Sequence, residues 1–279
     1  MASAFLDDRG VVRVEGEDAR SFLQGLVTCN MDHVSLEAAG FGALLSPQGK
    51  ILFDFLIVED KDGFLLDTPM AQIADLIKRL SLYRLRAKVT LRDLSGAADP
   101  ALEALGVLAL WDGEPGEGLV YDDPRHVALG RRSILSRREA RAAASATADD
   151  YEGHRIRCGV PKGGVDFAFG ETFPHDADMD LIHGVDFKKG CYIGQEVVSR
   201  VEHRGTARKR IIPVHLRGPS PGPGVEIRAG DLVVGTMGSA AGDRGLAMIR
   251  TDRAEEAIAA GTPLIAGTSI LELMPADVV

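Results

Sequence analysis

The eight-residue segment Lys189–Glu196 combines the residue types that reactive thiol sites use. It places Cys191 between two glycines, with Lys189 before it and a Gln-Glu pair after it. Glycine lets the backbone turn tightly or approach a ligand closely. A nearby ammonium stabilises a thiolate and so raises its reactivity near neutral pH. The segment indicates a reactive thiol, or alternatively a small buried cysteine in a tight strand-to-helix turn.

Spacing makes a contact between Lys189 and Cys191 possible. Side chains two residues apart on an extended segment point to the same face, so the ammonium would lower the pKa of the thiol. Three roles then stay open for Cys191: transient ligation of iron, formation of a mixed disulfide, and redox sensing. We treat Cys191 and Lys189 as the candidate catalytic pair.

Bulk composition limits the class of protein. The chain has 279 residues, of which 45% are hydrophobic and 26% charged, which is typical of a globular protein with two or three domains. No apolar run reaches about 18 residues, so we expect no membrane span. The first ten residues lack a basic stretch followed by an apolar one, so we expect no signal or transit peptide.

Cysteine usage indicates a reducing compartment. The three cysteines, Cys29, Cys158 and Cys191, are widely separated, which argues against a disulfide framework and predicts a cytoplasmic location. An all-cysteine iron–sulfur site needs four thiolates, so one chain cannot complete it. A cluster shared between two chains, or one with foreign ligands, remains open.

Charge is unevenly distributed along the chain. The net charge is −9, which argues against direct binding of nucleic acid. Residues 188–217 nevertheless hold eight basic residues against two acidic ones. A local basic zone on an acidic protein suits a small anionic ligand. The alternative is a solvated face with alternating charges.

Periodicity predicts two α+β units before residue 150. A helix is predicted over residues 17–28 and a second one from Thr68-Pro69, where proline fits a first helical turn. The remaining predicted elements are strands over residues 40–58 broken by a turn at 46–49, a strand over 83–94, a short helix and a strand near 107–111 between 95 and 123, and a surface helix or linker over 137–150.

Past residue 210 the pattern changes to short strands separated by Gly- and Pro-rich turns, which predicts a small antiparallel barrel. The predicted strands are residues 211–216, 225–228, 232–238, 245–249, 263–265 and 270–273.

Several motifs together resemble the YgfZ-type family of folate-binding, aminomethyltransferase-like proteins, which includes a mitochondrial iron–sulfur assembly factor. The strongest match is the string Lys-Gly-Cys-Tyr-x-Gly-Gln-Glu at 189–196. Further matches are Arg155 with the following Gly-Val-Pro, Pro174 with Asp176, Phe22-Leu23-Gln24-Gly25 with Thr28, Ser46-Pro47-Gln48-Gly49, Leu66-Asp67, Leu82–Val89, Arg200 and Gly205.

The resemblance implies a three-domain ring with tetrahydrofolate at its centre. Residues 1–46 and 151–208 would form a discontinuous ferredoxin-like α+β domain that binds folate, residues 47–150 a second α+β domain, and residues 209–279 the barrel. The implied role is to assist assembly or repair of [4Fe–4S] proteins, without established catalytic turnover and with a transient shared cluster as a further option.

The resemblance also implies a set of cofactor-binding residues. Asp176 would pair with the pterin edge, Tyr192 would stack on the ring, and Arg200 would meet a carboxylate. The full set is Asp176, Tyr192, Gln195, Glu196, Arg200, Asp54 and Arg155. Each of the three named roles has a structural alternative: a capping Asp176, a core Tyr192, and a surface Arg200.

Departures from the family keep a second function open. Aminomethyltransferases carry two adjacent acidic residues where this chain has Phe53 and Asp54, so aminomethyl transfer loses one carboxylate. The alternative is a folate-dependent aminomethyltransferase or demethylase; a tRNA-modification accessory role would follow from the first function. A cluster of acidic residues and histidines matches no zinc or EF-hand spacing, so we predict no metal site. Its members are His175, Asp176, Asp178, Asp180 and His183. Expected partners are folate and iron–sulfur assembly or client proteins, with a monomeric chain.

Overall fold

The computed structural model describes residues 2–96, 103–113, 116–205 and 207–274. Its strands are β1 (Ala2–Leu6), β2 (Arg9–Glu15), β3 (Gly40–Leu45), β4 (Ile51–Asp60), β5 (Gly63–Pro69), β6 (Thr90–Asp93), β7 (Leu105–Trp111), β8 (Leu119–Asp122), β9 (Arg131–Ser136), β10 (Lys209–Arg217), β11 (Glu226–Ala229), β12 (Leu232–Ala241), β13 (Arg244–Arg250), β14 (Leu264–Ala266) and β15 (Ser269–Leu273). Its α-helices are α1 (Ala19–Gln24), α2 (Ile73–Arg84), α3 (Arg137–Ala143), α4 (Ala148–Arg157), α5 (Gln195–Arg204) and α6 (Thr251–Ala259).

A five-stranded antiparallel sheet, in the order β3-β4-β5-β2-β6, carries helices α1 and α2 on one face. Side chains on a strand alternate between faces. Phe53, Phe55 and Ile57 of β4 therefore join the core beneath the helices, whereas Leu56 and Val58 join the core on the other face. This second core extends to a four-stranded sheet in the order β1-β7-β9-β8 and reaches the C-terminal strands.

A buried network of charges links the two sheets. Asp67 on β5 accepts from Arg9 on β2 at 2.6 Å and from Arg132 on β9 at 2.5 Å, and the Tyr121 hydroxyl donates to it at 3.2 Å. Burial alone would raise the pKa of Asp67, but the two guanidinium groups outweigh it and lower that pKa. Because an unpaired buried charge is strongly destabilising, this network fixes how the sheets pack.

The C-terminal strands β10 to β15 form a closed antiparallel barrel. All six predicted barrel strands are present, and the predicted fold class is confirmed. Helix α6 between β13 and β14 was not predicted. Among the described residues, no helix is both long enough and apolar enough to span a bilayer.

Two predictions about the first 150 residues need correction. The strand predicted over 83–94 is wrong in its first half, because α2 continues to Arg84 and β6 begins only at Thr90. Alternating apolar and basic residues imitate a strand there. The predicted domain boundary between residues 46 and 47 falls in a hairpin, since β3 and β4 pair with each other in one sheet. The short helix predicted after residue 95 overlaps residues 97–102, and that part of the prediction falls outside the described residues.

Candidate functional site

The loop at 184–194 carries Cys191, and its first half is fixed by the buried Thr28. The Thr28 hydroxyl donates to the carbonyl of Gly184 at 2.6 Å and accepts from the amide of Ala43 on β3 at 2.8 Å. The Thr28 carbonyl accepts from the amide of Asp186 at 2.9 Å. These bonds attach the start of the loop to the edge of the five-stranded sheet.

The second half of the loop is fixed by close contact between two glycines. Gly194 has φ +81°, and a Cβ there would lie 2.6 Å from the Ser46 carbonyl oxygen and 3.0 Å from the Gly49 Cα. Gly49 has φ +80° and would in turn clash with Val197 on α5. The 46–49 turn and the Lys189–Glu196 segment, separated by 140 residues of sequence, therefore pack directly against each other.

Cys191 lies exposed between these two anchors. A side chain at the neighbouring Gly190 would meet no atom within 4 Å, so the chain leaves open space there. Cys29 is buried, and Cys158 is half-buried with its Sγ 3.8 Å from Nε2 of His154. Cys191 is thus the cysteine that an external partner can reach most easily.

The position of Lys189 corrects the prediction that it activates Cys191. Lys189 is buried, and its Nζ donates to the carbonyl oxygens of Val27 and Cys29 at 2.6 Å each. The loop turns this ammonium toward the interior while leaving Cys191 outside. Spacing alone could not show this, because the loop is not an extended strand.

Burial shifts the pKa of both groups in this interior contact. Desolvation lowers the pKa of Lys189 to about 8, although Cys29 and Asp186 oppose the change. Desolvation raises the pKa of Cys29 to about 11, with Lys189 opposing it. Cys29 is therefore a protonated thiol at neutral pH and a poor nucleophile.

The other predicted residues of the segment divide between core and surface. Tyr192 is buried in the core between the sheets, and burial raises its pKa to about 12. Its surroundings agree with the core alternative. Gln195 is half-buried, whereas Glu196 and Arg200 are exposed on α5. Within the described part of the chain, the side chains of these three residues make no hydrogen bond or ion pair, so they are available to a partner.

Arg155 has a structural position that leaves it no donor for a ligand. Its guanidinium donates to Glu152, to the Val160 carbonyl and to Asp166, and reaches Ser239 on barrel strand β12 at 2.7 Å. These bonds use all five of its N–H groups. The predicted cofactor contact of Arg155 is therefore corrected to a link between α4 and the barrel.

Asp54 lies on β4 and is not among the residues that line the Asp176 cavity. It is buried, and desolvation raises its pKa despite the opposing charges of Arg9 and Arg125. A Cβ at Gly163 would come within 2.8 Å of its Oδ2 and would also meet the ring of Phe169. The glycine therefore lets the backbone pack directly against a carboxyl group and an aromatic ring.

Asp176 lines a cavity of about 340 Å³ whose other walls come from distant parts of the sequence. Lys50 and Lys209 face Asp176, and the Lys50 ammonium lies 3.2 Å from the ring centre of Phe173. Desolvation raises the pKa of Asp176, against the effect of both lysines. The remaining lining residues are Glu171, Val201, Ala207, Arg208 and Arg250. The cavity therefore offers an acid, an aromatic face and several cations.

Next to this cavity, His175, Asp180 and Glu202 bring ligand atoms within 4.8 Å of one another. His175 Nε2 lies 3.1 Å from Glu202, but Arg210 binds both oxygens of Asp180 at 2.6 and 2.8 Å. The guanidinium is thus the counter-ion of Asp180. The cluster joins α5 to barrel strand β10.

Helix α5 connects the thiol to the cavity. It begins four residues after Cys191, and Val201 near its other end lines the Asp176 cavity. Its ten residues span about 15 Å at the usual rise. Cys191 and the cavity therefore lie at opposite ends of one rigid element.

Known proteins resemble this chain over most of its length. The human mitochondrial iron–sulfur cluster assembly factor IBA57 is 32% identical over 275 residues, covering 89% of this chain and 77% of the human protein. The chain belongs to the IBA57 family. The mitochondrial iron–sulfur cluster assembly factor IBA57 homologue from Mycosarcoma maydis is 36% identical over 238 residues, covering 76% of this chain. The chain spans only 57% of that fungal relative.

Two further comparisons concern the fold of this IBA57-family chain. Residues 208–276 match the family described as CAF17, C-terminal beta-barrel domain. The glycine cleavage system aminomethyltransferase T from Bartonella henselae has a TM-score of 0.74 at 14% identity, covering 98% of this chain and 84% of that structure. That likeness shows the fold alone. The predicted relation to a mitochondrial assembly factor with an aminomethyltransferase-like fold is confirmed.

Sequence reasoning missed several residues of the cavity in this IBA57-family protein. Lys50 directly follows the 46–49 turn, and Phe173 precedes the predicted Pro174 and Asp176. Both residues adjoin motifs that resemble the family, and this adjacency could have indicated that they belong to the site. Lys209 and Arg208 belong to the predicted basic zone, but nothing in the sequence places that zone beside Asp176.

Proposed function

We propose that this chain assists the assembly of [4Fe–4S] proteins in the cytoplasm, with Cys191 as the thiol that contacts the cluster. The observation that carries this proposal is an exposed cysteine in a loop anchored at both ends. Its relatives from human and Mycosarcoma maydis are iron–sulfur cluster assembly factors, which supports the same role. We place the chain in the YgfZ-type branch of the family on its 189–196 motif.

Ligand exchange is the chemistry that Cys191 can perform. Its thiol would lose a proton to solvent, and the thiolate would replace one ligand of a partner protein on one iron of the cluster. The displaced ligand would leave as a free side chain of the partner, and the other ligands would stay with the partner. Because Cys29 and Cys158 are less accessible, this chain supplies a single thiolate. The cluster is therefore shared and transient, and it leaves when the client's own thiolates replace Cys191.

Replacing Cys191 tests the role directly. We expect Cys191→Ser to abolish maturation of a [4Fe–4S] enzyme in cells that lack the native chain, as measured by enzyme activity and visible absorption. Cys158→Ser is the matched control and should support normal maturation. Equal maturation by both variants would refute the role of Cys191, provided that circular dichroism shows both to be folded.

We further propose that the Asp176 cavity binds tetrahydrofolate. Asp176 would accept from the pterin edge, Phe173 would contact a ring face, and Lys209 with Arg208 would meet the glutamate carboxylates. A cavity of about 340 Å³ falls in the usual range for small-ligand sites. Charge-assisted hydrogen bonds of this kind are stronger than neutral ones.

Thermal unfolding under anaerobic conditions tests the folate proposal. A ligand at 100 times its Kd stabilises the folded state by about 2.7 kcal/mol, so tetrahydrofolate should raise the Tm by several degrees. The same excess of p-aminobenzoylglutamate, which lacks the pterin, should give a smaller rise. An unchanged Tm with excess tetrahydrofolate would end the proposal.

A second function, folate-dependent aminomethyl transfer or demethylation, is favoured by one observation. Asp54 is a buried carboxyl group with a raised pKa that packs against the backbone of Gly163, and a buried carboxyl group with a perturbed pKa is a candidate general acid or base. If this is the function, purified protein should form methylene-tetrahydrofolate from an aminomethyl donor, and Asp54→Asn should stop it while Cys191→Ser should not.

A further inference from the structure

The end of helix α2 presents a surface that neither the thiol nor the folate proposal uses. We call it the leucine–arginine surface and define it as Lys78, Arg79, Leu82, Arg84, Leu85 and Arg86. All six residues are exposed. Four of them carry a positive charge and two are large apolar residues.

The two leucines are unusually accessible for apolar side chains. Leu82 is 64% exposed and Leu85 is 90% exposed. Single exposed leucines are common on protein surfaces and need no explanation. Two of them, three residues apart and surrounded by cations, form a small apolar patch that folding alone does not use.

The backbone of Leu85 strengthens this observation. Leu85 has φ 43° and ψ −103°, and the amide of Ala87 donates to the carbonyl of Arg84 at 2.7 Å. This geometry matches the first central position of a type II′ turn, where glycine is strongly preferred. A bulky residue with positive φ is strained. The chain therefore holds an exposed leucine at a position where glycine would fold more easily.

The cations of this surface lack acidic partners. Residues 76–92 contain six basic residues and no acidic one. Lys88 pairs with Glu17 and Arg92 pairs with Glu15. The other four, which belong to the leucine–arginine surface, form no ion pair within the described residues. On a chain with net charge −9, this is a distinct positive region.

A recess lies directly beside the exposed leucines. Its volume is about 300 Å³, and it is lined by Phe53, Asp75, Lys78, Arg79 and Leu82. Its lining therefore combines a buried aromatic ring and a leucine with two cations and one acid. A projecting leucine next to a recess offers shape as well as charge for recognition.

We propose that the leucine–arginine surface docks an acidic protein partner that inserts an apolar side chain into the recess. Arginines on the rim would pair with carboxylates, while Leu85 would enter an apolar hollow on the partner. The chain's overall negative charge disfavours long polyanions such as RNA and anionic membranes. Ile193, two residues after Cys191, packs against the same core as α2.

Site-specific photo-crosslinking followed by binding measurements tests this proposal. With p-benzoylphenylalanine in place of Leu82, irradiation in cells should yield an adduct with a protein of net negative charge. That protein, once purified, should bind the wild-type chain and should bind Leu85→Gly and Arg79→Glu/Arg86→Glu at least tenfold more weakly. Leu85→Gly keeps the fold intact, because glycine suits the turn.

Two control variants separate this surface from general effects. Leu36→Gly removes another exposed leucine, and Lys61→Glu/Arg157→Glu changes the net charge equally elsewhere; both should bind like wild type. No adduct, an adduct with RNA, lipid or a second copy of the chain, or equal binding by all variants would overturn the proposal. The docking proposal rests on the proposed assembly function. The binding measurement uses the chain without a cluster, so its result does not depend on Cys191. Cys191→Ser should therefore bind normally even if it fails in maturation.

Discussion

The Lys189 ammonium lies 2.6 Å from the carbonyl oxygen of Cys29, and this contact ties the thiol loop to residues 27–29. The lysine that precedes Cys191 in sequence serves as an internal clamp on residues 27–29. A second bond to the Val27 carbonyl uses the same ammonium. Any reactivity of Cys191 must therefore come from its exposure and its partner rather than from this lysine.

Stability should rise with pH because of Lys189. Its pKa is about 8 in the folded chain and 10.5 when unperturbed, so the unfolded state binds more protons between these values and stability increases across them. The contribution is lost as pH falls through about 8. We expect Lys189→Met to remove this rise, as measured by urea unfolding from pH 7 to 9.

Cys29 acts in the opposite direction and at higher pH. Its folded pKa is about 11 against 9.0 unperturbed, so its contribution is present below 9 and is lost as pH rises through 11. The window from pH 8 to 9 therefore reports mainly on Lys189. Identical pH profiles for wild type and Lys189→Met in that window would contradict the buried position of the ammonium.

The barrel and the first sheet differ in how far sequence could predict them. Barrel strands alternate and are separated by turns such as 218–224, so each one has a local signal. The prediction of a strand over 83–94 is wrong in its first half. The apolar stripe of α2, which includes Leu76 and Leu80, continues into a segment in which apolar and basic residues also alternate. Pairing of β1 with β7 joins residues more than 100 positions apart, and no local pattern encodes it.

At the candidate site, residue types were predictable but directions were not. The sequence left open a reactive thiol or a small buried cysteine at residue 191, and Cys191 is exposed. The sequence could not show that Lys189 points inward, because two carbonyl groups 160 residues away decide its direction. The cofactor contact predicted for Arg155 is wrong for the same reason, because Asp166 and Ser239 surround its guanidinium only after the barrel has packed.

The two glycines that flank Cys191 should respond differently to alanine. Gly194→Ala introduces strain at φ +81° and a clash with Ser46 and Gly49, so we expect a loss of about 1–3 kcal/mol in the free energy of unfolding. Gly190→Ala meets open space and should change stability by less than about 0.5 kcal/mol. Chemical denaturation measures both, and equal losses would mean that the glycine contact does not anchor the loop.

Arg155 should affect stability and leave folate binding unchanged. Arg155→Ala strands the buried Asp166 carboxylate without its guanidinium, so we expect a loss of about 3–5 kcal/mol. Ser239→Ala removes one partner only and should cost about 1 kcal/mol. Urea unfolding gives both values. Ser239→Ala keeps Arg155 but removes one of its hydrogen-bond partners. Loss of the tetrahydrofolate-induced rise in Tm in this milder variant would mean that Arg155 contributes to the ligand site.

Asp176 should show the reverse behaviour, with weaker ligand binding and unimpaired folding. Burial raises its folded pKa, so the protonated carboxyl group contributes stability below its unfolded pKa of 3.8, and this contribution is lost as pH rises through the folded value. Asp176→Asn removes this pH dependence. Compared with wild type, the free energy of unfolding of the variant should therefore be more favourable at neutral pH than at pH 4. We expect it to bind tetrahydrofolate at least tenfold more weakly by calorimetry, because the amide replaces a charge-assisted acceptor. Glu171→Gln, an exposed acid in the same cavity, is the matched control, and equal affinity of the two variants would move the ligand away from Asp176.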